Sequence, residues 1–540
     1  MLERIKSAIF TEGIIDFHEG LNVVLGDNKG SNSIGKSTLL MIVDFVFGGN
    51  TYISHNNDVV ANLGHHDFGF TFKFNNTEYH YVRGTENPDT VYKSNNKYEK
   101  LHEIKVNDLT KKLKSLYELD SDQLTFRAAV NTYSRVWGKE NNNVKKPLHS
   151  FAQDNFSQTV TNLIKLFNKY GAIATQDKEL KKLEDQRSVL NKASLHKLIP
   201  KITKTKFDKN TKEIDALIKE IERLGKSTYS PSGDITEIVS EEMISLREIK
   251  KRLLDEKEYY ISRLNRTQRT IKKSAGAGFE NLLEFFPNVN IEKLQDIESF
   301  HQGISSILSD ELENAKKELS RKIDKLGKEI NQVIKQQEQL LKPDEELNVF
   351  IDSLIELSSR LKSLQQENEF YRKLSGIKGS IETKKSELEE LKEKIVEEIN
   401  KAINTKLKEI NDLIHDDKRT APELNLTYSR YDYKFFDNTG TGKAYTNLII
   451  FDLAILTLTK IPFIMHDSFL FKNIEKEAVE QIIKFYNLMT KQVFIAIDII
   501  NMYNKETQKI LEDKKVILLS NDKLLTIKDW RDSTKKDAEY

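Results

Sequence analysis

Hydrophobic and polar positions near the start of the chain follow patterns typical of a mixed α/β domain. Residues 14–17 and Leu21–Leu25 predict short strands, and residues 39–47 predict an apolar helix. Four phenylalanines then alternate with smaller or polar residues, at Phe68, Phe70, Phe72 and Phe74. This period of two predicts a half-buried strand, and Asn75–Asn76 turns it into a hairpin with residues 79–83.

The last 120 residues return to this character. Residues 426–436 alternate and are rich in aromatic side chains, and residues 448–458 predict a buried helix despite the lone Asp452 within it. Residues 463–465, 493–497 and 515–519 predict apolar strands. Neither end is a complete domain by itself. We therefore predict one α/β head assembled from residues 1–170 and 416–540.

Between these ends the chain is dominated by Lys, Glu, Leu, Ile and Gln, and its apolar residues follow a heptad pattern. The clearest seam comprises Leu312, Ala315, Leu319, Ile323, Leu326, Ile330, Val333, Gln337 and Leu340. Pro231 marks a break at residues 229–234. We predict an antiparallel coiled coil with an outgoing arm (171–273), an aromatic apical module (274–303) and a returning arm (304–415).

Composition narrows the classes of function. Among 540 residues, 84 Lys and Arg balance 83 Asp and Glu, which argues against a generally basic nucleic-acid binder. The absence of cysteine excludes a disulfide framework, a thiolate nucleophile and any zinc site built from cysteine. No run approaches the ~18 apolar residues of a membrane span, and the first residues do not resemble a signal peptide. We expect a soluble, cytoplasmic protein without a membrane partner.

A phosphate-binding loop is the most specific motif. Residues 30–38 fit G-x-x-x-x-G-K-[ST] between a predicted strand and a predicted helix, which is the context that a P-loop requires. Its backbone N–H groups would surround phosphate, Lys36 would add positive charge, and the Ser37 hydroxyl would bind Mg²⁺. The predicted ATP-binding residues here are Gly30, Asn32, Ser33, Ile34, Gly35, Lys36, Ser37 and Thr38.

An acidic residue follows a predicted strand near the other end of the chain. The apolar run 461–465 leads into His466, Asp467 and Ser468, and Asp467 is placed to help Ser37 hold Mg²⁺. Ser468 stands where many ATPases of this plan have a glutamate that activates water, so slow hydrolysis is expected. Glu475, Glu477 and Asp498 are alternatives that the sequence does not separate.

Two further segments are candidates for binding. The small-residue loop Thr439, Gly440, Thr441, Gly442 precedes a buried helix. It is a degenerate second phosphate loop, a loop that a partner head presses against the γ-phosphate, or a plain turn into the helix. Residues 191–212 contain one acid and seven lysines, at Lys192, Lys197, Lys201, Lys204, Lys206, Lys209 and Lys212. Such a cluster is either a solvated helix face or a surface that binds the phosphate backbone of double-stranded DNA.

The order of these motifs resembles that of SMC-like ABC ATPases. His466-Asp467-Ser468 and the loop ending at Thr38 resemble a bacterial branch, the ATPase subunits of ABC-three-component and Lamassu-type anti-phage systems. The resemblance implies an ATP- and Mg²⁺-dependent homodimer joined through its heads, with the loop at 439–443 as a signature segment acting in trans. It also implies DNA binding, an effector nuclease and a small accessory subunit.

Two departures accompany the resemblance. The signature segment is not Leu-Ser-Gly-Gly, and the glutamine that usually reaches Mg²⁺ is represented only by Gln123 or Gln153. Without cysteine there is no zinc hook, so apical joining of two chains would use residues 285–301. Two alternative functions stay open: a DNA-repair or chromosome-organising ATPase of the same plan, and a coiled-coil scaffold that nucleotide locks as a dimer.

Overall fold

The computed structural model describes residues 1–27, 33–119, 123–195, 199–227, 241–274, 291–340, 345–436 and 440–529. Strands are β1 (Leu2–Lys6), β2 (Ile14–Asp16), β3 (Leu21–Leu25), β4 (Asp67–Phe74), β5 (Thr77–Gly84), β6 (Thr90–Ser94), β7 (Lys100–Lys105), β8 (Ser134–Arg135), β9 (Glu423–Leu426), β10 (Tyr431–Lys434), β11 (Phe463–His466), β12 (Gln492–Ile497) and β13 (Lys515–Leu518). Helices are α1 (Lys36–Val46), α2 (Thr51–His55), α3 (Asn57–Leu63), α4 (Val106–Leu116), α5 (Phe126–Val130), α6 (Phe156–Leu166), α7 (Tyr170–Leu195), α8 (Lys204–Ser227), α9 (Glu241–Ser274), α10 (Ile291–Leu340), α11 (Glu345–His415), α12 (Thr441–Leu458), α13 (Lys476–Asn487) and α14 (Lys505–Asp513). These elements form two compact units, residues 1–193 with 374–540 and residues 194–373.

A five-stranded parallel sheet joins the two ends of the chain in the first unit. Its order is β13-β3-β12-β11-β8, so the N-terminal strand β3 is inserted between two C-terminal strands. Leu21 pairs with Val493 and Leu25 with Ile497 along β3 and β12. The prediction of one α/β head built from both ends is confirmed.

Successive residues of the parallel strands pack into two different cores. On β12, Val493 and Ile495 belong to a core with α11, α12 and α13, whereas Phe494 and Ala496 belong to a core with α1 and the second sheet. Both faces are therefore covered, as is usual for parallel sheets. Because neither face meets water, these strands are almost continuously apolar, which explains the apolar runs of the sequence.

The second sheet of this unit is antiparallel and has the order β2-β1-β4-β5-β6-β7. The predicted hairpin is its centre, since β4 and β5 pair from Asp67 with Gly84 to Phe74 with Thr77. Asn75 and Asn76 adopt positive φ angles in the turn, as the hairpin requires. The strands β9 and β10 form a separate two-stranded hairpin, and the alternating residues 426–436 cover its turn and its second strand.

Antiparallel helix pairing is confirmed within each unit. In the first unit, Lys169 lies 3.2 Å from Glu398 and Lys384 lies 3.3 Å from Glu179, so α7 and α11 run in opposite directions. In the second unit, α8 pairs with α11 through Lys206–Glu367 and Arg360–Glu213. The predicted seam on α10 is buried at Leu319, Leu326, Ile330, Val333 and Gln337.

The second unit differs from a single out-and-back hairpin. Leu253 of α9 packs with Ile330 of α10. The two helices are antiparallel, because Lys257 lies beside Gly327 whereas Tyr260 lies beside Lys322. Arg247 of α9 also contacts Asp352 of α11, and Lys251 contacts Ser359. The residue numbers of both helices rise from the first contact to the second, so these two helices are parallel. Hence α9 runs in the direction of α11 and opposite to α8. A heptad pattern specifies a seam but not its partner helix, so the sequence did not reveal this reversal.

The predicted apical module and the break at 229–234 fall mostly outside the described residues. The outgoing arm has one further interruption, because α7 ends at Leu195 and α8 begins at Lys204, around Pro200. Residues 291–303 of the predicted module belong to the first turns of α10. Among the helices of the described ranges, none is long and apolar enough to cross a membrane.

Buried cations hold the C-terminal end of α1. Fully buried Asp44 accepts hydrogen bonds from Arg127 (2.7 Å) and Lys139 (2.8 Å). Arg83 donates to the carbonyls of Phe45 (2.5 Å), near the end of α1, and Gly49 (2.8 Å), in the turn that follows. Burial alone would raise the pKa of Asp44, but Arg127 and Lys139 outweigh it and hold that pKa below its usual range.

We expect Asp44→Asn to lower the free energy of unfolding by about 3–5 kcal/mol at neutral pH, because it leaves the buried Lys139 and the half-buried Arg127 without their carboxylate. Urea denaturation followed by circular dichroism measures this. Since the folded-state pKa is depressed, the carboxylate stabilises the fold above about pH 4 and this contribution is lost as the pH falls. The difference in free energy of unfolding between the wild type and Asp44→Asn should therefore become smaller in acid.

The matched control is Asp16→Asn, which removes an exposed ion pair with Arg4 at 2.6 Å. Exposed pairs contribute at most about 1 kcal/mol, so this variant should unfold almost like the wild type. Equal losses in the two variants, or a deficit of Asp44→Asn that widens in acid, would contradict the account.

Candidate nucleotide-binding site

The loop before α1 turns at Gly35. Its φ angle of +102° favours glycine, and an added Cβ would lie 2.4 Å from Cβ of Leu525. The backbone N–H of Leu525 donates to the carbonyl of Ile34 (3.2 Å), so the C-terminal segment lies directly on the loop. Gly35 is also the N-cap of α1 and provides no side chain there, which leaves the helix start accessible to an anion. Gly30 and Asn32 lie outside the described residues.

Lys36 lies against a carboxylate from the neighbouring strand. Its side chain is 7% exposed, and Nζ is 3.0 Å from Oδ1 of Asp498, which directly follows β12. Lys472 approaches the other oxygen of Asp498 at 3.7 Å. Gly26 permits this packing, because a Cβ there would lie 3.3 Å from Cδ of Lys36 and 3.0 Å from the Asp498 carbonyl oxygen. The Lys36 ammonium group, which would contact phosphate, is therefore held by Asp498 at the carboxyl end of β12.

Ser37 and Asp467 meet although 430 residues separate them. The Ser37 hydroxyl donates to Oδ1 of Asp467 at 2.9 Å. Asp467 is fully buried and also accepts from the backbone N–H groups of Ser468 (2.7 Å) and Trp137 (3.1 Å). Burial raises the pKa of Asp467 above its usual value, the hydrogen bonds act in the opposite direction, and Asp498 adds to the rise.

This donor set fits a divalent cation that accompanies phosphate. Mg²⁺ prefers hard oxygen ligands, usually one or two protein oxygens with phosphate and water completing its shell. Ser37 and Asp467 offer a hydroxyl and a carboxylate oxygen side by side at the start of α1. A nearby cation would also offset the cost of a buried carboxylate. The residues present therefore suit Mg²⁺ bound together with a nucleotide.

The structure separates the acidic candidates near Asp467. Glu475 is exposed and forms a two-pronged ion pair with Arg419, at 2.7 and 2.5 Å. Glu477 is exposed in the first turn of α13. Ser468 begins a short 3-10 helix and contacts Asp467 through its backbone N–H. Asp498 is the candidate that lies beside Lys36.

The other predicted loop residues lie on two separate segments. Ile34 is buried, Ser33 is exposed with a positive φ angle, and Thr38 is half-buried in the first turn of α1. At the start of α12, Gly440 is the N-cap and Thr441 the first helical residue, whereas Thr439 lies outside the described residues. At Gly442, an added Cβ would lie 2.1 Å from the Asn473 carbonyl oxygen, so glycine allows the backbones to approach.

Residues that the sequence did not single out complete the site. The strand β8 ends at Arg135, and Trp137, rather than a glutamine, contacts Asp467 there. Gln123 and Gln153 are both at exposed positions. Arg135 forms a buried ion pair with Asp452 of α12. His466, which precedes Asp467, lies between Asp452 and Tyr486, and burial lowers the pKa of its ring. The lone Asp452 in an apolar run was the signal for this group.

The lysines of residues 191–212 are divided between the two units. Lys192 is exposed on α7 in the first unit, and Lys197 lies outside the described residues. Lys201 precedes α8, and the remaining four are exposed on that helix in the second unit, at Lys204, Lys206, Lys209 and Lys212. Lys206 forms an ion pair with Glu367 at 3.0 Å. The candidates are thus not equivalent, since one of them already has a carboxylate partner.

Two family models match the chain at opposite ends. Residues 2–226, which include the P-loop, match a model described as an AAA domain. Residues 399–529, which include Asp467 and Asp498, match a model described as an uncharacterised protein conserved in bacteria (DUF2326). No curated protein matches the chain.

Two solved structures to which the chain is similar contain Smc head domains. The Smc head domain with a coiled coil and joint from Pyrococcus yayanosii is 14% identical, with a TM-score of 0.44, covering 100% of this chain and 99% of that one. The Smc head domain with an extended coiled coil from Pyrococcus furiosus, bound to the C-terminal domain of ScpA, is 11% identical. Its TM-score is 0.32, and the match covers 94% of this chain and 91% of that one.

Proposed function

We propose that the chain is an SMC-like ATPase that binds ATP with Mg²⁺ in its head. The observation that carries the proposal is the 2.9 Å contact between Ser37, in the P-loop helix, and Asp467, at the end of a buried parallel strand. A P-loop hydroxyl beside a strand-end carboxylate is the ligand pair of P-loop ATPases. The AAA domain match over residues 2–226 supports the same function.

Each residue of the site has a distinct part in this proposal. The backbone around Gly35 and the start of α1 would bind phosphate, and Lys36, now paired with Asp498, would pair with phosphate instead. Ser37 and Asp467 would hold Mg²⁺, whose positive charge would offset the negative charge of the phosphoryl group. The exchange of Lys36 from carboxylate to phosphate keeps this buried cation paired throughout.

Asp498 takes the part of the glutamate that Ser468 replaces. A serine hydroxyl does not accept a proton from water near neutral pH, whereas a carboxylate does. Asp498 follows the strand next to β11, and departure of Lys36 toward phosphate would free its oxygen Oδ1. Glu475 forms an ion pair with Arg419 and has no part in activating water in this proposal.

The loop at the start of α12 is the proposed contact with a second head. Gly440 is the N-cap of α12 and its helix start has no side-chain cap, so the backbone N–H groups there suit a γ-phosphate presented by another chain. The functional unit would then be a homodimer with nucleotide between two heads, in the cytoplasm. Joining of two chains at residues 285–301 stays a prediction, and residues 285–290 of that segment lie outside the described residues.

We expect Lys36→Ala to abolish ATP binding and Asp498→Asn to lower kcat by about 100-fold, because water would lose its carboxylate partner. Steady-state ATP turnover and binding of a fluorescent ATP analogue measure the two effects. Glu475→Gln is the matched control and should keep kcat within about two-fold of the wild type, since Glu475 lies on Arg419.

Two results would count against this account. An equal loss in Glu475→Gln and Asp498→Asn would remove the assignment of Asp498. Absence of turnover in the wild type, with dimerisation that still depends on nucleotide, would favour the nucleotide-locked scaffold.

The proposal extends to double-stranded DNA and a defence role. The exposed lysines of α8 could bind the phosphate backbone without reading sequence. Resemblance of His466-Asp467-Ser468 to the Lamassu-type branch suggests control of an effector nuclease, with a small accessory subunit, in anti-phage defence. Co-purification with the products of neighbouring genes, with and without DNA ends, tests these partners.

For DNA binding, we expect the triple variant Lys204→Ala, Lys209→Ala, Lys212→Ala to weaken affinity and flatten its dependence on salt. Each lysine that no longer neutralises a DNA phosphate should reduce the slope of log K against log salt by about one. Fluorescence anisotropy with duplex DNA between roughly 50 and 200 mM KCl measures it. Lys206→Ala is the control, because Lys206 is paired with Glu367. Unchanged slopes in the triple variant would exclude this surface.

A further inference from the structure

A group of buried polar side chains is connected to Asp467 through the preceding residue, His466. Asp452 accepts from Nε of Arg135 at 2.5 Å and from Nη2 at 2.6 Å. Its oxygen Oδ2 is also 3.0 Å from Nε2 of His466, and Nδ1 of that ring is 2.5 Å from the Tyr486 hydroxyl. Because a carboxylate only accepts, His466 donates from Nε2 to Asp452.

This group connects four elements of the head. Asp452 belongs to α12, Arg135 to β8, His466 to β11 and Tyr486 to α13. Arg135 also donates to the carbonyls of Asn141 and Pro147 and thereby fixes the loop that follows β8. A change in the position of α12 relative to the sheet therefore acts on both strands that end beside the nucleotide site.

The backbone attached to this group holds Asp467 on two sides. His466 precedes Asp467 directly, and the N–H of Asp467 donates to the Arg135 carbonyl at 3.1 Å. Two residues after Arg135, the N–H of Trp137 donates to Oδ2 of Asp467 at 3.1 Å. The main chain and the side chain of Asp467 are thus both placed by residues anchored on Asp452.

A purely structural role would not require this placement. Buried ion pairs add little stability compared with apolar residues of the same shape, so they are weak guides to what a fold needs. Residues behind a metal ligand have a different effect, since they orient the ligand and tune its affinity for the cation. Asp452 does not contact Asp467 itself. It contacts His466 and Arg135, which in turn place Asp467, and this arrangement fits that role.

We propose that Asp452 is a positioning residue which, through His466 and Arg135, sets Asp467 for divalent-cation binding and links that site to α12. The inference rests on the proposed Mg²⁺–ATP site. Because α12 begins at the Gly440–Lys443 loop, any ligand or chain that contacts this loop acts on the same carboxylate. Tyr486 holds the His466 ring from the opposite side and belongs to the same device.

The test compares Asp452→Asn and Tyr486→Phe with Glu480→Gln. Glu480 is likewise largely buried on α13, where it accepts from the N–H of Asn504 (2.6 Å) and its side-chain amide (2.7 Å), so it reports loss of structure alone. Electron paramagnetic resonance measures the affinity of the intact protein for Mn²⁺ in the presence of a non-hydrolysable ATP analogue. Steady-state kinetics separates kcat from KM for ATP, and thermal unfolding monitors the fold.

We expect Tyr486→Phe and Asp452→Asn to weaken Mn²⁺ binding by about 10- to 100-fold and to lower kcat with little change in KM. Tyr486→Phe keeps the aromatic packing and tests the idea even where Asp452→Asn does not fold. Mn²⁺ affinities in the folded variants equal to that of Glu480→Gln would overturn the inference. If the wild type binds no Mn²⁺ with the analogue, the proposed function itself fails, which is a separate outcome.

Discussion

Parallel pairing of β3 between β12 and β13 is the constraint on which the head depends. Without it, the P-loop and the acidic strand ends would stay at opposite ends of a 540-residue chain. Apolar residues stabilise this pairing, since both faces of the sheet are covered by separate cores. The helical region between the two ends must return the chain to the same sheet, and its antiparallel pairs in both units do so.

The same pairing produces the electrostatics of the site. Carboxyl ends of adjacent parallel strands lie at one edge, so Asp467 and Asp498 come together with the Ser37 hydroxyl and the Lys36 ammonium group at the start of α1. Asp467 is buried enough for its pKa to rise, and Lys36 is nearly buried against Asp498. Buried charges cost free energy unless they have partners of opposite charge. An anion beside Lys36 and a divalent cation beside Asp467 would be such partners.

Local patterns in the sequence predicted most of the head. The P-loop depends on spacing within nine residues, and Asp467 follows an apolar run, so both could be identified without the fold. The choice among Glu475, Glu477 and Asp498 could not, because it depends on which strands are neighbours. Arg135 and Asp452 were missed for the same reason, being 317 residues apart. The direction of α9 also escaped prediction, since heptads do not specify a partner helix.

Crystallography of the protein with Mn²⁺ and a non-hydrolysable ATP analogue tests the central claim most directly. The account expects an anomalous peak within coordination distance of Ser37 and beside Asp467, with Lys36 moved from Asp498 onto the phosphates. A nucleotide bound elsewhere, or Mn²⁺ absent from this position while Lys36 stays paired with Asp498, would contradict it.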